Sequence, residues 1–245
     1  MAKIFRKARL SALFGERIPK YLLYAVGEIF LVVVGILIAL SVNNWNQERK
    51  DHRREIQILE NILKEITANS AVNARLITNR MNDKIGGLMM AKAYAQNELR
   101  ITDTIDFLQK ASFGAVFAGG YTYGSTNFFE EVLSTGELGL IRDITVRNLI
   151  TDYYSRLEIY KERSNTHSSD FLKFINELRP FDTQNPDNIS RYDQNEMMTA
   201  FKTTEFRKQV DMELSYAYKV RDYIHTIERT ANSAIDLIQK NLDAG

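Results

Sequence analysis

The chain has 245 residues, room for one domain or two small ones, and its 32 Lys plus Arg nearly balance 31 Asp plus Glu. Such a balance lacks the concentrated basic face of a nucleic-acid binder, so no nucleic acid is expected among its partners. It contains no cysteine, which excludes disulfides, thiolate metal sites, cysteine nucleophiles and a lipidated cysteine. Three prolines and 12 glycines favour long helices over sheet.

The first predicted element is a membrane span. Residues 21–42 read YLLYAVGEIFLVVVGILIALSV, with Glu28 the single charge. A bilayer core needs about 20 apolar residues in a helix. Tyr21, Tyr24 and Trp45 lie at the two ends, where amphipathic rings prefer the interface. A cleaved signal peptide is the competing reading, but its apolar region runs about 7–15 residues and ends in small residues. Here the run is longer and flows into NNWNQERK. Six basic residues precede it (Lys3, Arg6, Lys7, Arg9, Arg17, Lys20) and four follow (Arg49, Lys50, Arg53, Arg54). By the positive-inside rule the N-terminus is cytoplasmic and the large domain outside, periplasmic in a Gram-negative cell.

Within the span, Glu28, Val32, Gly35, Ala39 and Asn43 share one helical face at steps of three and four. Gly35 and Ala39 form a small-xxx-small pair that allows close helix approach, bracketed by polar Glu28 and Asn43. An ionisable group inside a span is a candidate functional group, although Glu28 lies near enough to the end to snorkel to the headgroups. This face predicts a homo-oligomer or a membrane-protein partner, in addition to contact with membrane lipid.

The organisation expected is a basic segment 1–20, a transmembrane helix 21–45 and a soluble helical bundle 46–245. The first helix continues through the charged run 47–55 into Ile56, Leu59, Leu63 and Ile66. A rigid helix of that kind would lift the domain off the membrane surface. The apolar stripe weakens around Ser70 and Asn73 and resumes at Ile77. Thr102, Asp103 and Thr104 predict a cap before Ile105.

Residues 111–129, ASFGAVFAGGYTYGSTNFF, are rich in both glycine and aromatics. Phe117, Tyr121, Tyr123 and Phe128 either line a ligand pocket or close a helix–helix corner, and the corner is the simpler expectation. Next, Asn127 with Glu130 resembles an N-cap with its carboxylate. Gly136 supplies a left-handed helix end on which Leu138 folds back. Asp143 caps a helix in which Val146, Leu149, Ile150, Tyr153, Leu157 and Tyr160 keep helical spacing. That helix falters at 164–169, resumes at Phe171 and stops before Pro180. A surface loop is expected over 181–192, and Asp193 with Glu196 restarts a helix. From residue 204 to about 243, Ala217, Val220, Ile224, Ile227, Ala231, Ala234 and Ile238 alternate steps of three and four, a bundle or coiled-coil pattern. The fold class expected is all-α, one transmembrane helix plus an antiparallel bundle of long helices.

Catalytic chemistry is hard to find. His52, His167 and His225 do not share ligand spacing, and each merely has an acid three residues on: Glu55, Asp170 and Glu228. HExxH, GxSxG, P-loop and GxGxxG patterns are absent. The carboxylates alternate with Lys and Arg as on solvated helix faces. No catalytic residue, cofactor or metal is therefore assigned, although acids brought together by the fold could still form a cryptic hydrolase.

Residues 24–50, YAVGEIFLVVVGILIALSVNNWNQERK, resemble a family of uncharacterised single-pass membrane proteins from flavobacteria and related Bacteroidota, a domain of unknown function. A basic IFRKAR stretch at 4–9 and a LSTGELGLIRD unit at 133–143 support the resemblance. In that unit Leu133, Gly136, Leu138, Ile141 and Asp143 match, while Phe128 or Phe129 stands where a Tyr is usual. The resemblance implies a Gram-negative inner membrane and no known activity. The function expected is a membrane-anchored helical interaction or scaffold protein, self-associating or a subunit of an envelope complex. The alternative is an extracytoplasmic ligand-sensing module. With only about 20 residues before the span, it would relay through a partner.

Overall fold

A computed structural model describes residues 17–74, 78–118, 123–178 and 189–244, residues 17–20 by backbone alone. All regular structure among them is helical, as the sequence predicts. The helices are α1 (Arg17–Val72), α2 (Thr78–Ala95), α3 (Thr104–Phe113), α4 (Asn127–Ser134), α5 (Ile144–Asn165), α6 (Asp170–Leu178), α7 (Arg191–Ala200) and α8 (Thr204–Ala244). The basic stretch at 4–9, Ile77, Tyr121 and most of the expected 181–192 loop lie outside the described residues.

The chain divides into two compact units, one ending at Arg54 and the other beginning at Glu55. In the first, α1 carries the one helical segment among the described residues that is long and apolar enough to cross a membrane. Its large apolar side chains from Tyr21 to Val42 are 46–79% exposed, apart from half-buried Val34. A helix that shows apolar side chains to its surroundings over so long a stretch is unstable in water.

The second unit is a helical bundle. Ile58, Leu59, Ile62 and Ile66 of α1 are fully or almost fully buried, each contributing about 1.5–3 kcal/mol of apolar transfer. On α8 the predicted stripe from Ala217 to Ile238 is 0–1% exposed at all seven positions. Helices α2, α5 and α6 pack against α8, so this heptad seam is filled by the chain's own helices.

Cross-contacts give the helix directions. Along α2 and α8, Thr78 meets Glu228, Met89 meets Tyr218 and Lys92 meets Asp211, an antiparallel order. Along α5 and α8, Tyr160 stacks on Tyr223 with centroids 4.2 Å apart, and Ser164 O accepts from Tyr216 Oη at 3.5 Å, again antiparallel. By contrast, Glu55 contacts Arg142 and Glu65 contacts Tyr154, so this part of α1 runs parallel to α5.

Local signals hold closely. Asp103 Oδ1 accepts from Asp106 N at 3.0 Å, and Asp143 Oδ1 accepts from Thr145 N at 2.7 Å and Val146 N at 3.2 Å. Gly136 has φ +73°, the left-handed region that ends α4. A short 3₁₀ turn, Glu137–Leu140, follows and was not foreseen. Two caps move. The cap of α4 is Thr126, not Asn127, and its hydroxyl donates to the Glu130 carboxylate rather than accepting from a backbone amide. The cap of α7 is Ser190, whose Oγ accepts from Asp193 N at 3.2 Å, so the helix begins at Arg191 rather than Asp193.

Candidate functional site: a buried polar cluster under the glycine and aromatic segment

Glu65 and Asn69, at the end of α1, and Asn73, just past it, succeed one another at steps of four, which places them on one face. All three hold the backbone of residues 123–128. Asn73 Nδ2 donates to Tyr123 O at 2.7 Å. Asn69 donates from Nδ2 to Ser125 O at 2.9 Å and accepts from Ser125 N at Oδ1 at 2.8 Å. Glu65 Oε1 accepts from Ser125 Oγ at 2.9 Å and Phe128 N at 3.2 Å, while Oε2 accepts from Tyr154 Oη at 2.6 Å. The fit requires glycine at 124, where φ is +156° and a Cβ would stand 2.6 Å from the Asn69 side chain.

Lys84 of α2 holds the earlier part of the segment. Its ammonium, fully buried, donates to Gly114 O and Val116 O, both at 2.7 Å, and to Glu213 Oε1 of α8 at 2.5 Å. All three N–H donors of the ammonium are thereby used. Burial pulls the Lys84 pKa below the ordinary range for an amine, against the opposing pull of the Glu213 charge. The other carboxylate oxygen of Glu213 accepts from Ser169 Oγ at 2.5 Å and lies 3.4 Å from His167 Nε2. His167 stacks on Tyr216, whose hydroxyl burial pushes to a higher pKa. The Tyr123 and Ser164 hydroxyls are hydrogen-bonded to each other at 2.7 Å.

The order of these groups decides what they can do. Nucleophilic activation of a serine needs its proton to pass to the imidazole, with the acid behind the imidazole. Here the carboxylate stands in the middle, bonded to both Ser169 and His167. The geometry therefore neutralises and fixes a buried charge pair and fastens two stretches of irregular backbone.

The sequence-derived candidates fall as follows. Tyr123 is 1% exposed and directed into the core, and Phe128 is half-buried beside Glu65. Phe117, half-buried, has φ +58°. Tyr123 and Phe128 are thus brought onto one anchored stretch. On the membrane-length helix, Glu28, Val32, Gly35, Ala39 and Asn43 are all exposed, and a Cβ at Gly35 would meet nothing within 4 Å. His225 Nδ1 lies 3.6 Å from Glu228, as the spacing suggested. His167 instead turns to Glu213, while Asp170 pairs with Lys173 at 2.9 Å. Among the described residues no three His, Asp or Glu converge as metal ligands.

Lys84 and Glu213 were missed, although a signal existed. Lys84 interrupts the buried series Met81, Ile85, Leu88, and Glu213 interrupts Val210, Leu214, Ala217. A charge of opposite sign on the core stripe of each of two helices is the mark of a buried pair.

A family model described as a family of unknown function (DUF6090) matches residues 28–201. No curated protein and no solved structure matches the chain.

Proposed function

Since the chain belongs to this family of unknown function, its role has to be argued from its architecture, and we propose a membrane-anchored helical interaction module without chemistry of its own. The carrying observation is the apolar helical segment between Tyr21 and Val42, whose large side chains are exposed except for half-buried Val34 and whose length and composition suit a bilayer. The reading places the span in a Gram-negative inner membrane of flavobacterial type, with the N-terminus cytoplasmic and the bundle periplasmic, following the excess of basic residues before it. It assigns contact between copies, or with a second membrane protein, to the Glu28, Val32, Gly35, Ala39 and Asn43 face. Support comes from the open space beside Gly35 and from the α8 seam, which is used up within the chain and so directs assembly to other surfaces.

The test is fractionation of native membranes. The protein should remain with the membrane pellet through an alkaline carbonate wash and be released by mild detergent; release by carbonate alone overturns the anchor. Protease added to intact spheroplasts should digest the bundle, and protection there reverses the topology. In detergent, Gly35→Leu should lower the mass of the native assembly. The alternative, a ligand-sensing module, draws less support, because Tyr123 and Phe128 are occupied by internal contacts.

A further inference from the structure

Two surfaces of the bundle are complementary to each other. Helices α2 and α3 run antiparallel, with Tyr94 against Phe107 at one end, ring centroids 4.9 Å apart, and Gly87 against Lys110 O further along. Between them lies an open groove of about 500 Å³, lined among others by Asp83, Gly86, Met90, Asp106, Lys110 and Phe113. Adjacent glycines weaken the middle of a helix. Gly87 has an internal reason, since a Cβ there would lie 2.0 Å from Lys110 O. Gly86 has none: a Cβ would meet nothing within 4 Å, and the residue is exposed in the groove. Met90 and Phe113 are half-buried beside it. The antiparallel register, with Gly87 opposite Lys110 and Tyr94 opposite Phe107, puts Asp83 at the Phe113 end and Asp106 at the Met90 end, about 12–18 Å apart by helical rise. Asp106 shares its charge with Lys110 at 2.8 Å. Asp83 makes no ion pair or hydrogen bond among the described residues.

The outer face of α8 carries the converse pattern. Lys208, Met212, Ser215 and Lys219 recur at steps of four, three and four, all exposed, with Met212 at 65%. Neither lysine has an ion pair or hydrogen bond among the described residues. The lysines stand about 16 Å apart on the helix, and their flexible stems let both heads reach inward. A groove with an unpaired acid at one end, a glycine floor and a Lys110-shared acid at the other thus meets a cation–apolar–cation ridge of similar length.

We propose that the α2–α3 groove of one copy receives the outer face of α8 from a second copy of this chain, Met212 seated over Gly86 between Met90 and Phe113. The contact is heterologous, using two different patches, so it closes into a ring or extends as a chain of copies. It deepens the self-association reading and rests on it.

The experiment uses the full chain in detergent micelles, labelled through single introduced cysteines, which its cysteine-free sequence permits. Asp83→Lys alone, and Lys208→Glu with Lys219→Glu, should each weaken self-association about fivefold or more. Gly86→Leu, which fills the floor, should do the same. Mixing the Asp83→Lys protein with the Lys208→Glu/Lys219→Glu protein should restore association by energy transfer, because one now offers a basic groove and the other an acidic ridge. Unchanged association in both single-patch variants, or no recovery on mixing, overturns the proposal. Gly35→Leu run in parallel separates the two readings. Dissociation by Gly35→Leu with indifference to the charge reversals removes the groove contact and keeps the membrane face. The converse keeps the groove alone.

Discussion

Lys84 and Glu213 stand 129 positions apart in the chain, yet their charged atoms meet at 2.5 Å with the side chains 0% and 2% exposed. Removing one partner of such a pair leaves a charge buried without compensation. Lys84→Met should therefore destabilise the bundle by about 3–5 kcal/mol, read by denaturant unfolding in micelles with circular dichroism. Lys84→Met with Glu213→Leu should recover part of the loss, though not all, because Gly114 O and Val116 O still lack a donor. A double variant as unstable as the single would refute the pairing.

Asn69 both donates to and accepts from Ser125, so Asn69→Ala orphans two backbone groups at once. The expected cost is about 1–3 kcal/mol. Hydrogen exchange should speed up at the Ser125 amide while the Asp143-capped amides of Thr145 and Val146 remain protected. Uniform exchange changes across the bundle would show that Asn69 acts globally instead.

Asp143 accepts backbone hydrogen bonds from Thr145 and Val146, which hold its carboxyl below the ordinary aspartate range. A depressed folded pKa contributes stability present above the unfolded pKa, lost as pH falls through the folded one. Asp143→Asn should thus flatten the stability profile below about pH 4 and leave it parallel to the parent at neutrality. An unchanged acid limb argues against the cap.

Two tyrosines should titrate late. Burial pushes Tyr153 up to about 12, and burial followed by the bond to Glu65 raises Tyr154 further still. Ultraviolet titration of the folded chain should show both silent when surface tyrosines ionise near pH 10. Raised folded values contribute stability present below the unfolded pKa, so the bundle should lose stability as pH rises past about 10. Tyr154→Phe should lessen that loss.

Gly136 at φ +73° tests the turn between α4 and α5. Gly136→Ala should cost about 1 kcal/mol, since a Cβ is strained there although no atom lies within 4 Å. A neutral substitution would mean the turn relaxes.

Most of the fold was legible because the signals were local. The α8 stripe, the Asp103 and Asp143 caps and the Gly136 turn each depend on residues within a turn or two. The cap of α4 slipped by one residue because its polar partner, Thr126, competes with Asn127, and both are good caps. The buried cluster was not legible as a unit. Glu65, Asn69 and Asn73 grip a segment 50–63 positions away, and no periodicity announces a partner that lies in irregular backbone. His167 pointed to Asp170 by spacing but turned to Glu213 because α8 brings a buried carboxylate closer. Lys84 and Glu213 could have been noticed as charges on apolar stripes, though only the fold shows that the two stripes face each other.

The grip of α1 has a consequence for how relatives of this chain will look. Within residues 123–128, Glu65, Asn69 and Asn73 bind peptide groups and one serine hydroxyl, so they read the path of that segment far more than its side chains. Drift among homologues at positions 126 and 127 should be wide, while position 124 should stay glycine. The spaced pattern Glu, three residues, Asn, three residues, Asn should persist on a different helix altogether. Remote members would then be recognised by pairing that pattern with a single downstream glycine, even where the intervening segment has diverged past alignment.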